Sequence, residues 1–401
     1  PDQELLALVS NTNVLILMTK DFDILAENAL SSANQGEGAF VNVGWGSYAT
    51  QFKGSEGKKS SKERTEDKCV EWDDRRARVC WRSDGEHFLV HFVDPTCNNR
   101  RFQVFNREGA LYSTIEDNVN VLDATIAWTF SKSLIASSIY RLNKHEIIFF
   151  ERNGLAHGSF ELPFVAGEMR VKSIGWNIDS SILCVWSEAV GEGDSVVQLW
   201  TTANYHWYLK QSFDFGQANK ASVVCWDPED AFTLHLMTVD GQYLRYKLGQ
   251  TINACNPCAD YNGSIAVTDS HTVLITPFKN KIIPPPMSAI KLTCTNRVNS
   301  VVWSQTSMDL LVLLATGQFN FYKYSAKSRR EQNLSDLIEY AEIGAAFLDD
   351  SQTLNAYSRS IQHCVWTRPD RLVLVVDTPK GIKLLNCLIS RSDDAVHSIV
   401  A

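Results

Sequence analysis

The sequence predicts an all-β fold: two β-propellers in tandem, built from repeated four-stranded blades. Three observations carry this. First, a tryptophan closing an apolar run recurs, and Trp81, Trp128, Trp176 and Trp226 are separated by 47, 48 and 50 residues. Second, a matching later run follows the first three at a similar interval: Phe102–Gly109, Glu146–Gly154 and Val196–Asn204. Third, a repeat of about 45–50 residues with turn signals between short strands is the period of propeller blades. A β-sandwich, whose half-buried strands also look alike, would not correlate both halves over three successive units.

The repeating unit is clearest in Val79–Val90. Val79 and Trp81 share one strand face, because strand side chains alternate with period two. Ser83-Asp84-Gly85 supplies turn residues, and Phe88 and Val90 return on a second strand. A lone hairpin of this kind is marginal and needs others to pack on. Further copies fall at Ala124–Ser137, Lys172–Val185, Ser222–Asp230, Ser300–Ser307 and His363–Asp370. The long step from Trp226 to Trp303 leaves room for a unit without tryptophan around Ser264–Ile275. Ile282–Met287, with three consecutive prolines, reads as a rigid extended segment. Lys58–Lys68 is polar and of mixed sign, an insertion between strands, and Lys327–Asn333 is a second charged loop. Only Leu334–Ala341 suggests a helical turn. Trp226 opens a series with longer spacing, which places later blades of a first propeller in residues 1–215 and part of a second in 216–401. Pro1–Leu5 resembles the second half of a repeat, so both propellers are expected to be incomplete in what is a piece of a longer chain.

Composition narrows the function classes. A formal charge of −8 over 401 residues argues against a nucleic-acid coat, while leaving room for a local basic patch. Ten cysteines are too sparse for a disulfide scaffold, and Cys80, Cys184, Cys225 and Cys364 lie in apolar strands, which points to a reducing compartment. No apolar run reaches the roughly 18–20 residues of a membrane span. Asn262-Gly263-Ser264 and Asn333-Leu334-Ser335 match glycosylation sequons, a pattern common by chance.

Chemical motifs are absent or incomplete. Gly54–Ser60 lacks the first glycine and the Lys-Ser/Thr pair of a phosphate loop. Gly36-Glu37-Gly38 and Gly191-Glu192-Gly193 lack the third glycine of a dinucleotide turn. Cys255 and Cys258, with His271 following, form half of a zinc site without a second pair of ligands. His87 and His91 share a strand face but have no adjacent carboxylate of the metalloprotease kind, so packing is the expected role. Nothing nominates an acid, a base, a nucleophile, a metal or a cofactor. Arg75, Arg76, Arg78 and Arg82 form a compact basic cluster, preceded by Glu71, Asp73 and Asp74 that can pair with it.

Particular stretches go beyond periodicity. Val43–Gly46, Thr50–Gly57, Trp72-Asp73-Asp74, Trp81–Gly85, Phe149–Gly158, Asn204–Gln211, Trp226-Asp227-Pro228 and Ile283–Met287 together resemble the largest scaffold subunits of the Elongator complex, the Elongator complex protein 1 (IKAP) family. The match runs through most of residues 1–320; Asn204–Gln211 and Gly44–Gly57 are its specific parts. The resemblance implies two WD-repeat β-propellers at the amino-terminal end of a non-enzymatic scaffold, in the cytoplasm, with the nucleus open as a second compartment. It implies an assembly that modifies the wobble uridine of transfer RNA (U34) at carbon 5, its chemistry residing in a separate acetyltransferase and radical S-adenosylmethionine subunit. The implied partners are that catalytic subunit, a second WD-repeat subunit and, indirectly, transfer RNA. Homodimerisation would use a carboxy-terminal region absent here, and no membrane is involved. Partner-contact candidates are Trp45, Gln51, Phe52 and Lys53 in the first specific stretch and Tyr205, His206, Trp207 and Tyr208 in the second. Blade packing is the competing role for that aromatic group. The alternative function is direct binding of transfer RNA by the propeller through Arg75, Arg76, Arg78 and Arg82.

Overall fold

The computed structural model describes residues 3–31, 33–34, 36–38, 69–115, 122–131, 133–141, 144–165, 167–249, 263–278, 281–305, 307–327, 337–349, 361–378, 381–392 and 395–400. Among these, all regular structure is strand apart from one 3₁₀ turn at Gln217–Asn219. The chain divides into two compact units: Pro1–Val197 with Asp214–Tyr246, and Gln198–Phe213 with Lys247–Ala401.

The first unit opens with an antiparallel sheet of β1 (Leu5–Val9), β2 (Val14–Thr19) and β3 (Ile24–Ala29). A four-stranded sheet follows, in order β4 (Arg78–Trp81), β5 (His87–Asp94), β6 (Asn99–Asn106) and β7 (Leu111–Thr114). The next is also four-stranded: β8 (Leu122–Trp128), β9 (Leu134–Arg141), β10 (Lys144–Glu151) and β11 (Ala156–Glu161). After it come β12 (Met169–Trp176), antiparallel to β13 (Ile182–Ala189); of the next two strands, β14 (Ser195–Ala203) and β15 (His206–Phe215), Gln198–Phe213 belong to the second unit. β16 (Ala221–Trp226), β17 (Thr233–Thr238) and β18 (Tyr243–Lys247) form the fifth sheet.

Each sheet is a meander because short polar turns join consecutive strands. The β4–β5 turn shows the local cause: Gly85 donates its N–H to Arg82 O at 3.0 Å with φ +75°, a conformation in which only glycine avoids a Cβ clash. The first strands β1, β4, β8, β12 and β16 lie successively against one another, so the sheets are arrayed about a common line of inner strands. This is the blade arrangement the repeat predicts.

Stacking of sheet on sheet explains the sequence of the strands. In β5, Phe88, Val90 and Phe92 pack on Leu15 and Leu17 of the first sheet, while Leu89 faces the third sheet with Trp128, Ile135 and Ile148. Both faces are covered, so β5 and β6 are buried along nearly their whole length, and β5 reads as an apolar run interrupted only by His91 rather than as an alternating strand. Full burial of a Phe or Leu contributes roughly 2 kcal/mol of transfer free energy, and two-sided stacking collects it twice per sheet.

In the second unit β19 (Ser264–Asp269), β20 (Thr272–Pro277) and β21 (Ile290–Thr293) form the unit expected to lack tryptophan. An eight-stranded sheet follows, made from two antiparallel sets. One set is β22 (Val298–Trp303), β23 (Leu310–Leu314), β24 (Gln318–Lys327) and β25 (Leu337–Asp349). The other is β26 (Ile361–Arg368), β27 (Arg371–Thr378), β28 (Gly381–Ser392) and β29 (Ala395–Val400). A parallel pairing of Leu348 with Ile399 and Asp349 with Val400 joins them. β19, β22 and β26 again lie against one another as inner strands.

The repeated tryptophans occupy one rung. Trp81, Trp128, Trp176, Trp226 and Trp303 each end the first strand of their sheet, and Trp366 sits near the end of β26. Trp226 donates its indole N–H to Gly175 O on β12 at 3.1 Å, which ties neighbouring inner strands together. Two expectations need correction. The segment expected to turn helically becomes strand from Leu337, because β25 pairs along β24 from Lys327↔Leu337 to Gln318↔Phe347. A backbone ladder of that length overrides a weak local helical preference. The proline segment expected to be extended turns at Pro285–Pro286.

Buried polar groups line the third sheet. Asp123 is 2 % and His145 1 % exposed, with His145 Nε2 3.8 Å from Asp123 Oδ2 and the Tyr140 ring edge-on to the imidazole at 5.5 Å. Burial drives the His145 imidazole down to about 4 and pushes the Asp123 carboxyl up. The unfolded chain therefore takes up a proton at His145 first, so stability falls as pH drops from 6.5 to about 4. The loss is ~3 kcal/mol at this site. Asp123 acts in the opposite sense at the acid end. Urea denaturation of the protein and of His145→Asn across this range should show a shallower pH dependence in the variant. Separately, Trp366 is fully buried against Phe321, with ring centroids 5.6 Å apart. Trp366→Ala should destabilise the second unit by about 3–5 kcal/mol, read as a lower denaturation midpoint.

Candidate partner surface

The β14–β15 turn lies in the second unit and positions the aromatic candidates. Asn204 and Tyr205 have φ +51° and +60°, the two left-handed residues of a type I′ hairpin turn. Asn tolerates this region because its short polar side chain can hydrogen-bond locally, whereas Tyr205 costs about 1–2 kcal/mol there. Tyr205 is fully exposed. Asn204 Nδ2 donates to Pro285 O at 3.0 Å, so the tip is tied to the proline segment, which is flanked by exposed Ile282 and Met287.

Below the tip the hairpin is fastened to β19. His206 Nε2 lies 3.2 Å from Asp269 Oδ2, and Leu209 N–H donates to Asp269 Oδ1 at 3.1 Å. Lys210 Nζ donates to Thr268 O at 2.7 Å and stands over the Tyr208 ring at 4.7 Å. Burial lowers the Lys210 ammonium, with Asp269 acting against it, and burial with Asp269 raises the Tyr208 phenol. The four aromatic candidates therefore divide. Tyr208 is 2 % exposed and belongs to the packing, Trp207 and His206 are half-buried, and Tyr205 alone projects fully from a braced support. Trp45, Gln51, Phe52 and Lys53 lie outside the described residues, as do Cys255 and Cys258. Among the described residues, no three His, Cys, Asp or Glu side chains are grouped to hold a metal ion. His91 is fully buried and held well below the ordinary imidazole range by burial, while His87 meets Tyr112 edge-on at 5.3 Å.

The arginine cluster belongs to the first unit. Arg78 makes two hydrogen bonds to the Asp74 carboxylate, at 3.0 and 2.8 Å. Arg82 makes two to Asp84, one at 2.8 Å. Arg75 donates to Asn98 Oδ1 at 3.0 Å. Arg76 contributes backbone: its N–H reaches Asp74 Oδ1 at 3.1 Å and its carbonyl accepts from Arg100 at 3.0 Å. Burial would raise the Asp74 carboxyl, but hydrogen bonds from Arg78 and the Arg76 backbone, with the charges of Arg78 and Arg100, bring it below the usual range. The hydrogen bonds from Arg82 likewise lower Asp84.

Sequence reading missed the centre of this network. Arg100, in the buried strand β6, pairs with Asp73 through two hydrogen bonds, one of 2.7 Å, and with Asp74 at 3.1 Å. The Arg100 and Asp73 side chains are 0 % and 1 % exposed. The available signal was an Arg-Arg pair directly preceding Phe102–Phe105 in one strand, since a charge is buried there only with a partner.

Residues 1–229 match the family model of the ELP1 first N-terminal beta-propeller and residues 267–400 that of the ELP1 N-terminal second beta-propeller. The chain belongs to the Elongator complex protein 1 family. It is 40 % identical over 354 residues to Elongator complex protein 1 of Mus musculus, covering 86 % of this chain and 26 % of the relative. Against the Drosophila melanogaster protein the identity is 36 % over 315 residues, covering 77 % and 24 %. Against that of Saccharomyces cerevisiae it is 32 % over 367 residues, covering 78 % and 26 %. The chain thus spans about a quarter of the length of these relatives. Two β-propeller domains of this family account for the two series of stacked sheets.

Removing Arg100 would leave Asp73 buried without its cation. Arg100→Met should cost about 3–5 kcal/mol, and adding Asp73→Leu should recover most of it, measured by urea denaturation of the single and double variants.

Proposed function

We propose that this chain is a non-catalytic scaffold part of an Elongator assembly. Its propellers hold the catalytic acetyltransferase and radical S-adenosylmethionine subunit and a second WD-repeat subunit during carbon-5 modification of the transfer RNA wobble uridine. Family membership supports this reading, because the relatives carry the name Elongator complex protein 1. The observation that carries it furthest is Tyr205, fully exposed on a turn it disfavours and braced by Asn204, His206 and Lys210. Large aromatic side chains on rigid supports supply much of the energy of protein interfaces. Direct transfer-RNA binding is the second reading. It would require Arg78 and Arg82 to exchange the carboxylates of Asp74 and Asp84 for phosphate, since both are already paired.

Affinity measurement separates the two. With the purified catalytic subunit or WD-repeat partner, Tyr205→Ala should weaken association by about tenfold or more, as truncation of an aromatic anchor does. An unchanged dissociation constant for both partners removes Tyr205 from the interface. Steep salt-dependent affinity of the isolated chain for transfer RNA, lost in Arg78→Ala and Arg82→Ala, would instead establish the second reading.

A further inference from the structure

The fifth sheet of the first unit carries a chain of three hydrogen-bonded side chains. Asp227 follows β16, His235 lies in β17 and Tyr243 opens β18. Asp227 Oδ1 accepts the backbone N–H groups of Glu229 at 2.8 Å and Asp230 at 2.9 Å, which fixes the carboxylate. Its other oxygen lies 2.9 Å from His235 Nε2. His235 Nδ1 in turn lies 2.6 Å from the Tyr243 hydroxyl, and the two rings are stacked within 13° of parallel. Tyr243 is 58 % exposed.

The direction of each hydrogen bond follows from the carboxylate. The hydrogen bond from His235, followed by those from Glu229 and Asp230, holds the Asp227 carboxyl at about 2, so it is ionised and only accepts. His235 Nε2 must then carry the proton. In the neutral ring Nδ1 keeps its lone pair, and the Tyr243 O–H donates to it. The phenol proton is then already directed at a base, on a side chain more than half exposed. An oriented carboxylate, an imidazole in a defined tautomer and an accessible hydroxyl are the parts of an activated nucleophile.

We propose that Tyr243 is a modification site, a nucleophilic tyrosine that accepts a phosphoryl group from an electrophilic phosphoryl donor with His235 as the base. The phenol oxygen attacks phosphorus, a new O–P bond forms and the bond from phosphorus to the leaving group breaks. The leaving group departs with the bonding electron pair. The phenolic proton passes to His235 Nδ1, and the resulting imidazolium is stabilised by the Asp227 carboxylate before it releases the proton to water. No oxidation or reduction is involved. Tyr205 provides an internal reference, being fully exposed on a surface turn. The reading is independent of the scaffold role, since the two tyrosines belong to different units.

An alkyl fluorophosphonate is the probe, with fluoride as leaving group, added to the whole chain after its thiols have been capped. Labelling rates at each tyrosine are followed by peptide mass spectrometry. Tyr243 should label at least about tenfold faster than Tyr205, a conservative figure for general-base assistance. His235→Phe keeps a ring against Tyr243 but removes the base, and should bring the Tyr243 rate down to that of Tyr205. Asp227→Asn should do the same, because an amide donor reverses the tautomer and makes Tyr243 an acceptor. Tyr205 labelling should be constant throughout. Equal labelling of the two tyrosines in the unsubstituted protein overturns the proposal without any variant. So does an excess at Tyr243 that survives His235→Phe.

Discussion

The constraint on which this structure depends is that each inner sheet is apolar on both faces. A sheet with one apolar face can pair with a single partner and stop. β5 cannot, because Phe88, Val90 and Phe92 need a neighbour on one side and Leu89 needs another on the opposite side. Stacking must therefore continue from sheet to sheet, and right-handed strand twist makes such a stack splay about a line of inner strands. The adjacency of β1, β4, β8, β12 and β16, and separately of β19, β22 and β26, is the geometric result. The tryptophans stand at or near the ends of these inner strands, with the Trp226 indole anchored on Gly175.

How much of this can be read from the chain depends on the range of the interaction. The tryptophan rung is legible because it is one residue type at one place in a local hairpin. Even the sheet without tryptophan, β19–β21, is visible from the gap it leaves between Trp226 and Trp303. Non-local pairing is not legible. Nothing in the residues around 337 announces that β25 will run along β24 for most of its length. The alternation of Tyr205 to Tyr208 does not say which side is covered, and only the bracing on Asp269 and Thr268 turns Tyr208 inward. The link of Asp227, His235 and Tyr243 likewise requires three strands in register before it exists.

Charge follows the same logic. The arginines of residues 75–82 look like a basic patch in one dimension. In three, Arg78 and Arg82 are neutralised by Asp74 and Asp84, while the Asp73-Asp74 pair is itself held by Arg100 from inside the second sheet. The buried arginine draws the acidic segment inward, and Arg78 completes the neutralisation from the solvent side. A carboxylate shared between two guanidinium groups makes the local field much weaker than the count of cations suggests.

The parallel hem between β25 and β29 sets the last two blades apart from the others. Elsewhere in the described residues, neighbouring sheets meet chiefly through side chains, contacts that can slide or loosen by small increments. Here main-chain hydrogen bonds at Leu348–Asp349 and Ile399–Val400 stitch two meanders into one continuous layer. Such a layer couples the two meanders through their backbones, so β22–β29 form one sheet rather than two.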